Sequence, residues 1–303
     1  MAYRLRAWSA GTACRFGEAA EASEHAVEHA RRAKDVRQER RAATAYAAAA
    51  SLGPTLVDEA IARCESCLEQ TIGDRQSEGN LLAVLGGLYA AQGTFNRARE
   101  LVARGRGLLE EIGLDVDAAR AGIEAWRVEM LAGEYETAER ELRAALEALE
   151  ALGERYFLST VYGLMAQTLL EHGSSLDDVD ELCRRSEELA TPDDVATQAL
   201  WRCAAGRSLA RRGSLADGEA RVREALDLLA TTDATVLLLD AYLDLGEVLE
   251  LAGRYDEARE AYETARGHAE LKGGVVPLQN VLRRLDTLAA VESDALEETP
   301  VPD

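Results

Sequence analysis

The feature that most constrains this chain is a small residue that recurs at a nearly constant spacing along its length. Each copy lies near the start of a helical segment with one apolar face, and neighbouring copies are separated by 38 to 41 residues. The seven positions are Ala19, Ala60, Ala98, Ala138, Val179, Gly218 and Ala258. A fixed period of this length is typical of repeat proteins, in which each unit is one supersecondary element. Because one such unit cannot bury its apolar face alone, we expect the seven units to stack on one another.

The seventh unit, from Leu239 to Arg266, shows the helical pattern most completely. Two sets of residues at helical spacing flank Gly253: Tyr242, Leu245, Gly246 and Leu249, then Tyr255, Ala258, Tyr262 and Ala265. We expect the small residues Gly246 and Ala258 to lie where two helices touch. This order of small and large residues resembles the tetratricopeptide (TPR) repeat. The resemblance implies an all-α fold, a right-handed α-solenoid of about seven TPR-like hairpins with a period near 40, plus a C-terminal capping helix.

The chain divides into three segments on this pattern. Residues 1–275 form the repeats, residues 276–291 a capping helix, and residues 292–303 an acidic tail that we predict to be disordered. Pro277 suits the first turn of the capping helix. Its apolar face is formed by Leu278, Val281, Leu282, Leu285 and Leu288.

Two places depart from the regular pattern. Trp126 stands in unit four where glycine is usual, so either this hairpin is splayed or the tryptophan points between units. Unit one has no preceding helix to cover Leu5 and Trp8. Because contiguous exposed apolar surface is rare on monomeric proteins, we expect self-association at this end or an upstream domain.

Composition excludes several classes of function. The formal net charge of −21 disfavours nucleic acid and anionic membrane surfaces, since phosphate binding needs a basic footprint. The chain has no apolar run of the ~20 residues that a membrane helix requires. Its five cysteines are scattered along the sequence, which is typical of reduced thiols and predicts a cytoplasmic protein.

A more specific resemblance is to the C-terminal TPR solenoids of bacterial signalling proteins in which a class III nucleotide cyclase and a STAND-type ATPase precede the repeats. The stretches that carry it are AWRVEMLAGEYETAERELRAALEALEALGERYFLSTV (Ala125 to Val161) and ELCRRSEELATPDDVATQALWR (Glu181 to Arg202). The resemblance implies a sensing or partner-binding module. The chain has no glycine-rich phosphate loop and no cyclase metal-binding segment. We therefore predict a non-catalytic scaffold that binds a protein or peptide and needs no cofactor.

Two short motifs suggest other chemistry. His25 and His29 fit the H-x-x-E-H pattern of inverted zinc peptidases, which leaves a metal-dependent hydrolase as the alternative function. The pattern is short, and a solvated helix face explains it better. Cys64 and Cys67 form a C-x-x-C motif without a second pair at zinc spacing, so we interpret them as packing residues. A third possibility is a structural unit that assembles through its N-terminal end.

The concave face offers the predicted partner site. First helices line the groove in TPR arrays, and the register brings one set of basic residues to this face: Arg120, Arg127, His172, Arg207 and Arg211. Guanidinium groups suit carboxylates, so we predict an acidic or C-terminal-carboxylate segment as the ligand. Unit seven is acidic at the corresponding positions, Asp240, Glu247 and Glu250. The alternative is that the arginines pair with glutamates of neighbouring helices.

Overall fold

The computed structural model describes residues 2–71 and 73–297, and over these residues it consists of helices, turns and bends without a strand. The helices are α1 (Ala2–Thr12), α2 (Phe16–Arg32), α3 (Val36–Leu52), α4 (Val57–Gln70), α5 (Arg75–Ala91), α6 (Phe95–Glu111), α7 (Asp115–Ala132), α8 (Tyr135–Leu152), α9 (Tyr156–His172), α10 (Leu176–Leu189), α11 (Val195–Arg211), α12 (Leu215–Leu229), α13 (Thr235–Leu251), α14 (Tyr255–Lys272) and α15 (Val275–Glu297).

The fourteen helices α1 to α14 form seven consecutive pairs, and α15 follows as a final helix that packs on α14 and touches α5. The predicted all-α fold of seven hairpins and a cap is confirmed. Local sequence sets the helix ends. Asp35, Asp74 and Asp194 each accept a hydrogen bond from a backbone N–H in the first turn of the following helix. At the other end, Gly133 adopts a left-handed conformation with a φ of 76°, which glycine tolerates best.

Close helix contacts occur at the predicted register. A Cβ on Gly206 would lie 2.7 Å from the carbonyl oxygen of Gly218, so these two small residues do mark the nearest approach of α11 and α12. In unit seven the neighbour of Gly246 differs from the prediction. A Cβ there would lie 2.1 Å from Cε1 of Tyr262, one turn beyond Ala258. The glycine is therefore required by a buried aromatic ring.

Trp126 points between units, which is the second of the two predicted alternatives. Its side chain is buried, and its indole Nε1 donates a hydrogen bond to Thr168 Oγ1 at 2.8 Å. The bond joins α7 to α9, the first helices of units four and five. A buried indole N–H needs such a partner, so the tryptophan fixes the spacing of these helices.

Unit two is the splayed hairpin. Its turn passes through Gly53 in an extended conformation, and α3 packs more extensively against α2 than against α4. A Cβ on Gly53 would lie 2.5 Å from Cβ of Phe16, so only glycine allows unit one to approach here. The splay leaves backbone carbonyls at the end of α3 free to bind another part of the chain.

The solenoid closes on itself at that place. Lys272, at the end of α14, donates hydrogen bonds to the carbonyl oxygens of Ala50, Gly53 and Thr55 at 2.6, 2.8 and 2.8 Å. A cation suits the C-terminus of a helix, where carbonyls are unpaired. Burial lowers the pKa of Lys272 to about 8, so the side chain is cationic at neutral pH.

A second contact joins unit one to the connection between units six and seven. The carboxylate of Asp233 accepts hydrogen bonds from the backbone N–H groups of Phe16 and Gly17, the second at 2.8 Å. These are the first residues of α2, so the carboxylate caps a helix N-terminus. The concave face predicted from the sequence therefore faces the interior of a closed ring.

Both ends of the chain bear on the sequence predictions. Helix α15 extends to Glu297, six residues beyond the predicted end of the capping helix at residue 291. The rest of the predicted disordered tail, residues 298–303, lies outside the described residues. At the start, Leu5 is 60% exposed and Trp8 is 71% exposed, as expected for an uncovered face. Among the described helices, none combines the length and apolarity that a membrane crossing requires.

Candidate partner-binding cavity

The ring surrounds a cavity of about 740 Å³. The first helices of units three to seven, α5, α7, α9, α11 and α13, contribute most of its wall, and α15 covers one side. Cavities of this size accommodate small molecules or a few side chains of a peptide. Its position follows from the repeat, because the inner helix of each unit faces the ring axis.

One part of the cavity wall is apolar. Five large side chains from three helices form it: Leu88, Trp126, Met130, Leu239 and Leu243. Trp126 is held in place by its hydrogen bond to Thr168, so this part of the wall is rigid. An apolar wall of this kind binds hydrophobic groups by removing them from water.

Another part of the wall is charged, and Arg207 is its centre. Arg207 on α11 is only 3% exposed. Its guanidinium contacts Glu171 on α9 at 2.5 Å, Asp244 on α13 at 3.2 Å and Glu247 on α13 at 2.6 Å. A buried guanidinium requires such pairing, and removal of one partner typically costs about 3–5 kcal/mol. Arg207 therefore joins three inner helices.

The acids of α13 differ in their environments. Burial would raise the pKa of Glu247, but Arg207 and Arg211 outweigh it and lower this pKa. Burial raises the pKa of Asp244 to about 7, against the opposing effect of Arg207. Burial also raises the pKa of Asp240 to about 6, and Arg127 opposes the rise. Although Asp240 is exposed to the water of the cavity, protein surrounds that water, which explains the raised pKa.

Only two of the five predicted site residues, Arg127 and Arg207, line the cavity. Arg120 donates to Asn80, and His172 at the end of α9 faces Glu139 on α8 with its Nδ1 at 3.3 Å. Arg211 contacts Glu247 at 2.6 Å and donates a hydrogen bond to the carbonyl oxygen of Leu170. The structure therefore does not bring these three side chains into the cavity, because they contact groups of neighbouring helices.

The two predicted arginines that line the cavity are also paired within the protein. Arg127 Nε lies 3.4 Å from Glu124, and the contacts of Arg207 are given above. Both arginines therefore pair with acids of the protein, which is the alternative arrangement that the sequence left open. A ligand carboxylate would have to compete with these acids.

The sequence prediction missed the contribution of α15. Its polar side chains line the cavity at Asn280, Arg283, Arg284 and Thr287. Their spacing of three and four residues is a polar helical stripe, opposite the apolar face that identified the cap. That signal was present in the sequence. Lys272 carried no comparable signal, because its partners are backbone carbonyls more than 200 residues away.

The motifs of the alternative hydrolase do not form a site. The rings of His25 and His29 pack against Tyr3, with centroid distances of 5.1 and 5.2 Å. Within residues 2–71 and 73–297, no three His, Cys, Asp or Glu side chains converge in a way that could hold a metal ion. Cys64 and Cys67 are buried free thiols, and burial raises the pKa of both, which agrees with a packing role.

Solved structures with the same architecture exist. The chain resembles a Rap protein solved in complex with Competence and Sporulation Factor, with 10% identity, a TM-score of 0.57 and coverage of 86% of this chain and 80% of that one. It resembles NprR solved with its cognate peptide NprX, with 12% identity, a TM-score of 0.58 and coverage of 93% and 88%. A third is a signal-transduction ATPase of the STAND class with a TPR sensor from Pyrococcus horikoshii, with 13% identity, a TM-score of 0.55 and coverage of 93% of this chain but 47% of that protein.

These neighbours are helical-repeat proteins of the TPR type. The chain has a TPR-like fold. Comparison of its sequence with protein-family models and with curated proteins finds no match. At 10 to 13% identity the three structures establish the fold alone.

Proposed function

We propose that this protein is a non-catalytic binding scaffold that holds a peptide segment inside its ring. The observation that carries the proposal is the cavity of about 740 Å³ on the inner face of the repeats, with an apolar wall and a charged wall. Such a combination suits the mixed chemistry of a peptide, since apolar contacts supply affinity and fixed charges supply orientation. NprR, which shares the fold, was solved with a peptide.

The finer proposal is that the scaffold is the sensing or regulatory module of a bacterial signal-transduction protein in the cytoplasm. Two observations support it. The stretches Ala125 to Val161 and Glu181 to Arg202 resemble the solenoids of such proteins. The fold is also shared with a STAND protein that has a TPR sensor.

An acidic ligand is less favoured by the geometry than by the sequence. Four arginines line the cavity. Arg127, Arg207 and Arg284 each already have an acidic partner in the protein, and Arg283 donates a hydrogen bond to Asn280. The partner that we propose is a peptide.

Selection from a peptide library tests the proposal. Ala132 lines the cavity at the end of α7 and is half-buried, so Ala132→Trp should obstruct it. Ala103→Trp on the exposed face of α6 is the matched control, since it makes the same substitution away from the cavity. Both variants are first shown to melt as wild type does. We expect wild type and Ala103→Trp to retain the same peptides and Ala132→Trp to lose them. Equal retention by all three proteins would contradict the proposal.

A second candidate function is assembly through α1. The observation that favours it is the exposure of Leu5 and Trp8 on one short helix. An apolar surface of this kind is a common site of contact between copies of a protein or with another domain. This assembly would leave the cavity free, so the two functions are compatible.

A further inference from the structure

The inference concerns the chemistry of the ligand and rests on the proposed function. It starts from Asp240, on the cavity-facing side of α13. Among the described residues, Asp240 has no hydrogen bond and no ion pair. Arg127 acts on it electrostatically but lies nearer to Glu124, at 3.4 Å. An ionised carboxylate among protein atoms is unfavourable unless a cation accompanies it.

Most of the other charged groups of the cavity wall already have partners within the protein. Glu171, Asp244 and Glu247 all contact Arg207. Lys272 donates its three hydrogen bonds to backbone carbonyls. Among the described residues, Asp286 on α15 also has no close partner and is exposed, as Asp240 is, but Arg283 lies one turn before it on the same helix. Within the described part of the chain, Asp240 is therefore the one acid on the inner helices of the cavity that has no ion pair.

The surroundings of Asp240 determine what kind of cation fits. Val236 and Leu243 lie one turn before and one turn after it on the same face of α13, and both line the cavity. Such a site suits a charge at the end of an aliphatic chain. A lysine or arginine side chain has this form, because its methylene stem packs on apolar surface while its charged end binds a carboxylate.

We propose that the space in front of Asp240 is a cation subsite, which takes the ammonium or guanidinium group of a lysine or arginine in the bound peptide. The stem of that side chain packs between Val236 and Leu243. A charge-assisted contact of this kind discriminates against a neutral side chain by roughly tenfold or more.

Binding at this subsite depends on pH in one direction. Asp240 must be ionised, and its pKa is raised to about 6, so affinity is full well above pH 6 and falls as the pH drops through this value. Asp244, whose pKa is raised to about 7, also loses its charge as the pH falls, and this weakens its ion pair with Arg207. The other charged groups that line the same cavity are Arg127, Glu171, Glu247, Lys272, Arg283, Arg284 and Asp286. The Asp240→Asn variant isolates the contribution of Asp240.

The test is affinity selection of a random library of acetylated, amidated hexapeptides, with retained peptides identified by mass spectrometry. Wild type is compared with Asp240→Asn and with the control Asp286→Asn, which removes the other unpaired acid of the wall. Asp240→Asn should fold normally, because it removes no internal contact. We expect wild type and Asp286→Asn to enrich lysine and arginine roughly tenfold or more over Asp240→Asn at pH 7.5. The enrichment should decrease at pH 5 in wild type.

Each other outcome has a distinct meaning. Retained peptides without an Asp240-dependent preference for lysine or arginine would overturn the inference and leave the proposed function intact. If wild type retains no more peptide than Ala132→Trp does, both the proposed function and the cation subsite are overturned. A parallel titration with spermidine separates the sources of the cation. Spermidine binding that depends on Asp240, without peptide retention, would assign the subsite to a free amine and contradict the peptide.

Discussion

Gly246 shows how a single residue limits the packing of a repeat. A Cβ at this position would lie 2.1 to 2.7 Å from three ring atoms of Tyr262. The ring cannot easily move aside, because Tyr262 is fully buried and its hydroxyl donates to Glu250 at 2.8 Å. Gly246 thus leaves the space that the buried ring of Tyr262 fills.

A pair of glycine substitutions tests this account of the hairpin. Gly246→Ala should lower the free energy of unfolding by about 1–3 kcal/mol, because overpacking displaces the ring. Gly267→Ala on α14 should raise it by about 0.5–1 kcal/mol, because its Cβ meets nothing within 4 Å and alanine favours the helix. Urea denaturation measures both. If the two variants change stability in the same direction, steric contact with Tyr262 is not what requires Gly246.

At the scale of the element, α1 and α15 differ in how far their apolar side chains are buried. Helix α15 buries Val281 and Leu288 and contributes its polar stripe to the cavity. Helix α1 leaves Leu5 and Trp8 exposed. The sequence predicted both features, because the cap shows an apolar face beside polar residues, whereas α1 carries large apolar residues that none of the described helices covers.

Assembly through α1 is tested by a polar double variant. Leu5→Gln with Trp8→Gln should abolish concentration-dependent association in sedimentation velocity, because it removes the apolar surface without disturbing buried residues. Leu251→Gln with Leu271→Gln is the control, since these leucines are 48% and 54% exposed on unit seven. A wild-type protein that remains monomeric at high concentration would contradict assembly between copies through α1.

At the scale of the whole molecule, the fold was predictable and its closure was not. The period near 40, the helix ends and the cap follow from local patterns that repeat along the chain. Closure depends on Lys272 and Asp233, whose partners are separated from them by about 220 residues. Each contact occurs once and uses backbone groups as partners, so neither leaves a periodic or motif-like signal. The candidate site was predictable in part. The repeat register places Arg127 and Arg207 on the inner face, whereas α15 lines the cavity only because the repeats close into a ring.

The repeats form a closed ring around the cavity, and the distance between Leu56 in unit two and Leu271 in unit seven measures this closure. Both are at least 50% exposed, and Leu56 lies beside Gly273, with its Cδ2 3.2 Å from where a Cβ would be. The five native cysteines are buried, so spin labels can be directed to cysteines introduced at these two positions. In a straight stack, units two and seven would be five units apart, on the order of 50 Å at roughly 10 Å per unit.

Double electron–electron resonance between these labels is the most direct test. The closed ring predicts a single short distance population, far below the separation in a straight stack. Lys272→Met should broaden it towards longer distances, because the carbonyls of the α3 end lose their cation, while Lys34→Met, at the only other lysine of the chain, should leave it unchanged. A distribution centred near 50 Å in wild type, or a short distance that does not respond to Lys272→Met, would contradict a ring held closed by Lys272.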